Sequence, residues 1–252
     1  MYVADGNMAE AVGGLLDRDQ AHLVIGCAPF TFDSRTDIKV AKGQNDPGVY
    51  TRADALMQPY AGEYARAVVV MDEEWEGSPG AAAIVERLRA HLTAAGWPPE
   101  RALALVVSPE ADVWLWSDSP HTATALGWAS WDALRPALEE EGFLVPEQKK
   151  PSRPKEAAEW ALGKGPKRIP RSSKLYRQVS GKVSVKRCED DARSVFINQL
   201  RTWFPAEGAC RSRPSPAPGC VVTADASTVG RTGPVRARRR SAWRSSRAAW
   251  TD

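Results

Sequence analysis

Histidine and cysteine are scarce in this chain, 3 His and 4 Cys among 252 residues. His22, His91 and His121 stand far apart, which disfavours a histidine-based metalloenzyme or a Ser/His/Asp triad. Cys27, Cys188, Cys210 and Cys220 match neither a zinc knuckle nor a redox pair and read as free thiols. No apolar run approaches the roughly 20 residues that cross a bilayer. The first residues also lack the basic-then-apolar order of a signal peptide, so no membrane partner and a cytoplasmic location are expected. The length suits one good core with a smaller appended domain.

A net charge of +3 conceals strong segregation. Residues 1–148 carry 23 Asp+Glu against 10 Lys+Arg, a net of −13, whereas residues 149–187 carry 13 Lys+Arg against Glu156 and Glu159, a net of +11. An acidic part that holds metal and a basic part that holds a polyanion would suit a nucleic-acid enzyme. The candidate phosphate contacts are Lys149, Lys150, Lys155, Lys164, Lys167, Arg168, Arg171 and Lys174. The alternative is a solvated basic linker, or one that pairs with the acidic part of the same molecule. From Ala206 onward the chain turns to Arg, Ser, Pro, Gly and Ala without hydrophobic period and reads as disordered. Its 9 Arg and no Lys point to an out-of-frame extension beyond Pro205, ahead of an arginine-rich nucleic-acid arm.

Short apolar runs alternating with helical periods predict an α/β fold, with a mostly parallel sheet covered by helices on both faces. Strands are expected at Tyr2–Ala4, His22–Ile25, Ala67–Met71 and Ala102–Val107. Asp5-Gly6-Asn7 reads as a turn before a helix from Met8 to Leu16. The polar stretch Pro29–Pro47 reads as a substrate-facing loop or a pair of weak edge strands. Further helices are expected from Asp46 to Met57 and over Ala81–Ala95, the latter capped by Ser78 with Pro79 in its first turn. Beyond Ser108, Pro109–Trp116 reads as a short helix or irregular rim segment, and Trp114, Trp116, Trp128 and Trp131 as a secondary core. Helices follow from Ser130 to Glu141, Glu156 to Leu162, Ser172 to Val179 and Asp190 to Trp203. The organisation expected is an α/β domain over 1–148, a basic helical extension over 149–205 and the tail over 206–252.

The densest chemistry follows the central strand, in Met71-Asp72-Glu73-Glu74-Trp75-Glu76-Gly77. Ligands bind at the carboxyl ends of strands in open α/β sheets, so these acids stand at the functional rim. If the chain stays extended, Asp72, Glu74 and Glu76 project to one side, an oxygen-rich set suited to Mg²⁺ or Mn²⁺. The bland reading is a solvated loop whose acids favour the positive end of the next helix. Glu110 and Asp112, just past the next strand, are placed to approach the same acids.

Val3-Ala4-Asp5-Gly6 with Glu10, then Val69-Val70-Met71-Asp72-Glu73-Glu74-Trp75-Glu76-Gly77, then Pro109-Glu110-Ala111-Asp112-Val113-Trp114-Leu115-Trp116, resembles the Toprim-like proteins of bacterial anti-phage defence loci. More narrowly it is similar to the small Toprim-like component of methylation-associated defence systems. Lys150-Pro151, Pro154-Lys155-Glu156-Ala157, and Cys188-Glu189-Asp190-Asp191 leading to Phe196 and Trp203-Phe204-Pro205, are similar to that group's helical C-terminal part. The resemblance covers residues 1–205.

What the resemblance implies is a Mg²⁺ site built from a glutamate after the first strand and an Asp-x-Asp pair after a later one. Asp5 stands where the glutamate is expected, one methylene shorter; Asp72 and Glu74 stand for the two aspartates, the second one methylene longer. Asp72 and Glu74, with Asp5 and Glu76, are then the candidate ligands for Mg²⁺ or Mn²⁺, and Asp5 or Glu10 the group that orients a water or acts as base. The helix start at Ser78–Gly80 would add dipolar stabilisation to a phosphate. The implied function is a metal-dependent nuclease acting on DNA or RNA within a defence system, alongside proteins encoded nearby. The alternative is a catalytically silent binding or scaffold subunit of such a complex.

Overall fold

Apolar pairing in the first hundred residues builds the sheet. The computed structural model describes residues 1–185 and 190–206, where four strands run parallel in the order β2-β1-β3-β4. These are β1 (Tyr2–Val3), β2 (Lys39–Val40), β3 (Ala67–Asp72) and β4 (Ala102–Val107). Val3 pairs with Val40 on one side and Val70 on the other, and β3 pairs with β4 from Ala67↔Ala102 to Asp72↔Val107. Ala67 through Met71 are all buried, as a near-continuous apolar run predicts for a strand covered by other elements.

The helices are α1 (Gly6–Leu16), α2 (Ala21–Ile25), α3 (Ser34–Asp37), α4 (Asn45–Met57), α5 (Ala81–Ala94), α6 (Pro120–Ala125), α7 (Trp131–Glu140), α8 (Pro154–Lys164), α9 (Lys174–Ser180) and α10 (Asp191–Trp203). Helix α4 packs on α5 and β3, α10 on β4, and α1 on α9. Ala157, Ala161, Tyr176, Phe196 and Leu200 belong to the same hydrophobic core as β3, so the segment after 148 is packed into the sheet's own core. Trp114, Trp116 and Trp131 are buried in it, and Trp128 stacks on Trp160 with ring centroids 5.9 Å apart.

Several expectations are corrected. His22–Ile25 is helix rather than strand, bounded by Gln20 and Gly26 in left-handed conformations, with φ of 54° and 82°. Only Ala21 and Ile25 of α2 are buried; Leu23 is 64% exposed, which a sheet strand would not allow. Asp5 is not part of a turn but the N-cap of α1, accepting the Met8 N–H at 2.8 Å. The polar stretch after Pro29 forms α3 and one short edge strand, β2. Ser130 does cap α7, accepting the Ala133 N–H at 3.2 Å. The tail from 207, Lys186, Arg187, Cys188, Cys210 and Cys220 lie outside the described residues; Cys27 is a buried free thiol.

Adjacent Gly13 and Gly14 weaken α1 by intrinsic propensity, roughly 1 kcal/mol each. Their value lies in the approach of α9: a Cβ on Gly14 would stand 2.6 Å from the Arg177 carbonyl oxygen and 2.8 Å from its Cα. Backbone cannot yield as a side-chain tip does. Gly14→Ala is therefore expected to destabilise the fold by about 1–3 kcal/mol despite its better helix propensity, seen as a lowered thermal midpoint.

Candidate functional site at the carboxyl end of the sheet

Three β–α junctions each deliver an aspartate to the same rim. Asp72 closes β3, Asp5 follows the paired strand β1 by two residues, and Asp46 stands in the first turn of α4. Each is oriented by a backbone N–H. Asp5 accepts from Met8, Asp46 from the N–H of Asp72 itself at 2.7 Å, and Asp72 from Ala111 at 2.7 Å. Burial pushes the Asp72 carboxyl up to about 9, and the neighbouring charges of Asp46, Asp5 and Glu110 push the same way against the Ala111 hydrogen bond. Asp46 is raised too, by burial first and by Asp5, against the hydrogen bond from Asp72. Like charges near one another and out of water disfavour the ionised form of each.

Asp46 is the member that sequence reasoning missed. It was legible only as a helix starter beside Pro47; its place against Asp72 depends on a contact spanning 26 residues. Conversely, the expected row of Asp72, Glu74 and Glu76 does not form. The strand ends at Asp72, Glu73 and Glu74 tie back to Val107 and Pro109 through their N–H groups, and Ser78 N–H closes a turn onto Trp75. Glu74 and Glu76 are exposed on that loop. Ser78 does not cap α5, whose N-cap is Gly80 at φ 88°; Glu73 Oε1 accepts the Ala81 N–H at 3.1 Å. That carboxylate holds the place at the helix start where a phosphate was expected. Glu10 is bound by Arg177, which also reaches Asp17 at 2.9 Å. Among the described residues, no group of three His, Cys, Asp or Glu is placed to hold a metal ion.

The basic segment is partly spent on the chain's own acids. Arg171 meets Asp112 at 2.7 Å and Glu159 at 2.6 Å, and the Tyr176 hydroxyl donates to the same Asp112 oxygen at 2.7 Å. Burial pushes Asp112 up, opposed by the Tyr176 hydrogen bond and the Arg171 charge, while Asp5 adds to the rise. Lys150 lies 3.7 Å from Asp190, and the Lys155 backbone N–H serves Glu110, whose carboxyl is raised by burial and by Asp112. Lys149, Lys155, Lys164, Lys167, Arg168 and Lys174 are exposed.

No family model, curated protein or solved structure matches this chain. Its chemistry therefore rests on the rim itself. Mg²⁺ keeps several waters and takes one or two carboxylates, and Asp72 and Asp46 are the pair at this rim that could offer them. A dication would relieve the repulsion between two such partly buried acids. No helix of the described residues is long and apolar enough to cross a membrane.

Proposed function

We propose that the carboxyl-end rim is a Mg²⁺ or Mn²⁺ site and that the protein is a Toprim-like phosphodiesterase acting on DNA or RNA, with helices on both faces of its sheet, as part of an anti-phage defence system. The observation that carries this reading is the convergence of Asp72, Asp46 and Asp5 from separate β–α junctions, where burial first and then these neighbours push the Asp72 carboxyl up to about 9. Asp72 and Asp46 would hold the cation. When bound, it would neutralise charge on a phosphoryl oxygen and activate a water.

The remaining roles fall to the chain's own groups. Asp5, anchored at the start of α1, is the candidate to orient the attacking water, a role for which Glu10 is poorly disposed while Arg177 holds it. Lys164, Lys167, Arg168 and Lys174 are the exposed cations that would take phosphates. Purified protein with Mg²⁺ or Mn²⁺ is expected to cleave single- or double-stranded nucleic acid, and Asp72→Ala to lose that activity by more than the roughly 10–100-fold that removing a mere outer-shell partner of a metal ligand costs. Equal cleavage by the two proteins, or none by the wild type, ends the nuclease reading.

A second reading is a silent binding or scaffold subunit. The ion pairs Arg171–Asp112 and Lys150–Asp190 favour it, because cations expected to face nucleic acid instead neutralise the protein's own acids, as Arg177 of the same basic segment does with Glu10. Calorimetric titration with Mg²⁺ separates the two. Heat lost in Asp72→Ala supports chemistry; no heat, together with a stable complex with neighbouring gene products, supports the scaffold.

A further inference from the structure

Strand β4 is an edge of the sheet, with β3 on one side and no strand on the other. The Glu73 N–H bonds the Val107 carbonyl at 2.8 Å, so Val107, Leu105 and Leu103 face β3, and Ala102, Ala104 and Val106 turn their N–H and C=O groups outward. The Ala102 N–H is taken by the Pro99 carbonyl of its own turn. The Ala102 carbonyl and both groups of Ala104 and Val106 meet no protein partner among the described residues. Ala104 is only 6% exposed, and backbone groups so far from water are nearly always paired.

Sheet edges are commonly guarded by lysine, proline or a bulge. Ala102-Leu103-Ala104-Leu105-Val106-Val107 has no charge and no proline, and its register with β3 runs unbroken from Ala67↔Ala102 to Asp72↔Val107. A groove of about 290 Å³ opens beside Ala102 and Ala104, lined by Arg89 and Leu92 of α5, by Trp97 and by Gln199 of α10. Arg89 is exposed and enters no ion pair among the described residues. Unpaired backbone groups between apolar walls suit an added strand. Because Leu103 and Ala104 are 7% and 6% exposed, the strand is recessed, and two copies would meet through the elements flanking it before their β4 edges could pair. A lone extended segment can enter, and Arg89 complements an acidic side chain on it.

We propose that the β4 edge takes an extended peptide of a partner protein as a fifth strand, with apolar side chains against Leu92 and Trp97 and a carboxylate on Arg89. Main-chain hydrogen bonds to Ala102, Ala104 and Val106 give the affinity, and the groove selects the side chains. The site makes no use of the aspartate rim and stands whichever reading of that rim holds.

The test uses the full chain and a fluorescent, end-capped peptide Ser-Val-Glu-Val-Thr-Val, followed by anisotropy. The peptide is expected to bind saturably, and at least about tenfold more weakly when its amides are N-methylated or when lysine replaces its glutamate. Ala104→Pro removes one outward N–H and leaves the ladder to β3, so the variant should fold, as thermal melting checks, and bind at least about tenfold more weakly. Arg89→Glu, on the exposed face of α5, should reverse the preference between the glutamate and lysine peptides. Amide exchange at Ala104 and Val106 should slow when the peptide binds. No saturable binding, indifference to N-methylation, undiminished binding by a folded Ala104→Pro, or an unchanged preference in Arg89→Glu each overturns the proposal. So does a peptide-free dimer that Ala104→Pro dissociates, which gives the edge to a second copy, or a protected Ala104 amide in the peptide-free monomer, which gives it to another segment of this chain.

Discussion

Asp112→Ala is expected to lower the unfolding free energy by about 3 kcal/mol, read from urea denaturation at neutral pH. The carboxylate is only 4% exposed and receives two donors at 2.7 Å, the Arg171 guanidinium and the Tyr176 hydroxyl. Removing it takes a charged acceptor from each. Tyr176 is itself almost fully buried, so its hydroxyl loses a charged acceptor where water has little access. Arg171 fares better, because it is partly exposed and keeps Glu159 at 2.6 Å, which holds the loss below the upper end for broken buried ion pairs. Tyr176→Phe isolates the hydroxyl's share: Asp112 retains Arg171, and the cost falls to about 1 kcal/mol. A fall of similar size in the two variants would mean that Arg171 gives Asp112 nothing, and that the basic segment is held by apolar packing alone.

That network explains what the sequence could and could not disclose. Ala67–Met71 and Ala102–Val107 were legible because long runs of buried β-branched and small apolar residues have few other uses, and both strands formed over nearly those residues. Helices α1, α7 and α10 were legible from their apolar period, and for α7 from the Ser130 cap. His22–Ile25 failed because four apolar residues are too few to separate a strand from a helical turn. The strand β2 was legible only as one alternative for a polar stretch, a pair of weak edge strands of which one forms; it exists through the Ala41 N–H to Val3 carbonyl bond and its neighbours, pairing that no local propensity encodes. At the rim, Asp5 and Asp72 were readable from strand ends, whereas Asp46 and the pairing of Glu10 with Arg177 were not. The last two residues lie 167 positions apart, and the bland alternative, a basic segment paired with acids of the same molecule, describes Arg171 and Arg177 as they stand.

Asp72→Asn is expected to stabilise the metal-free protein at alkaline pH and to flatten the dependence of its stability on pH. The sign follows from where the proton resides. In the unfolded chain an aspartate ionises near pH 3.9, while in the fold Asp72 holds its proton to about 9. Below the lower value both states are protonated and the neutral form's contribution is complete. Between the two values the unfolded chain gives up its proton and the fold does not, so stability falls as pH rises, by up to about 1.4 kcal/mol per unit for one group. It is exhausted once pH passes the folded value. The raised Asp46 carboxyl acts in the same direction. Asparagine keeps the oxygen that accepts the Ala111 N–H and cannot ionise, so the variant should exceed the wild type by up to about 5 kcal/mol at pH 8 and converge with it near pH 4. Mg²⁺ should raise the wild-type midpoint at pH 8, where it displaces the proton, and leave the variant unmoved. Parallel pH profiles would show that Asp72 is already ionised in the fold, and an equal Mg²⁺ response would place the cation elsewhere.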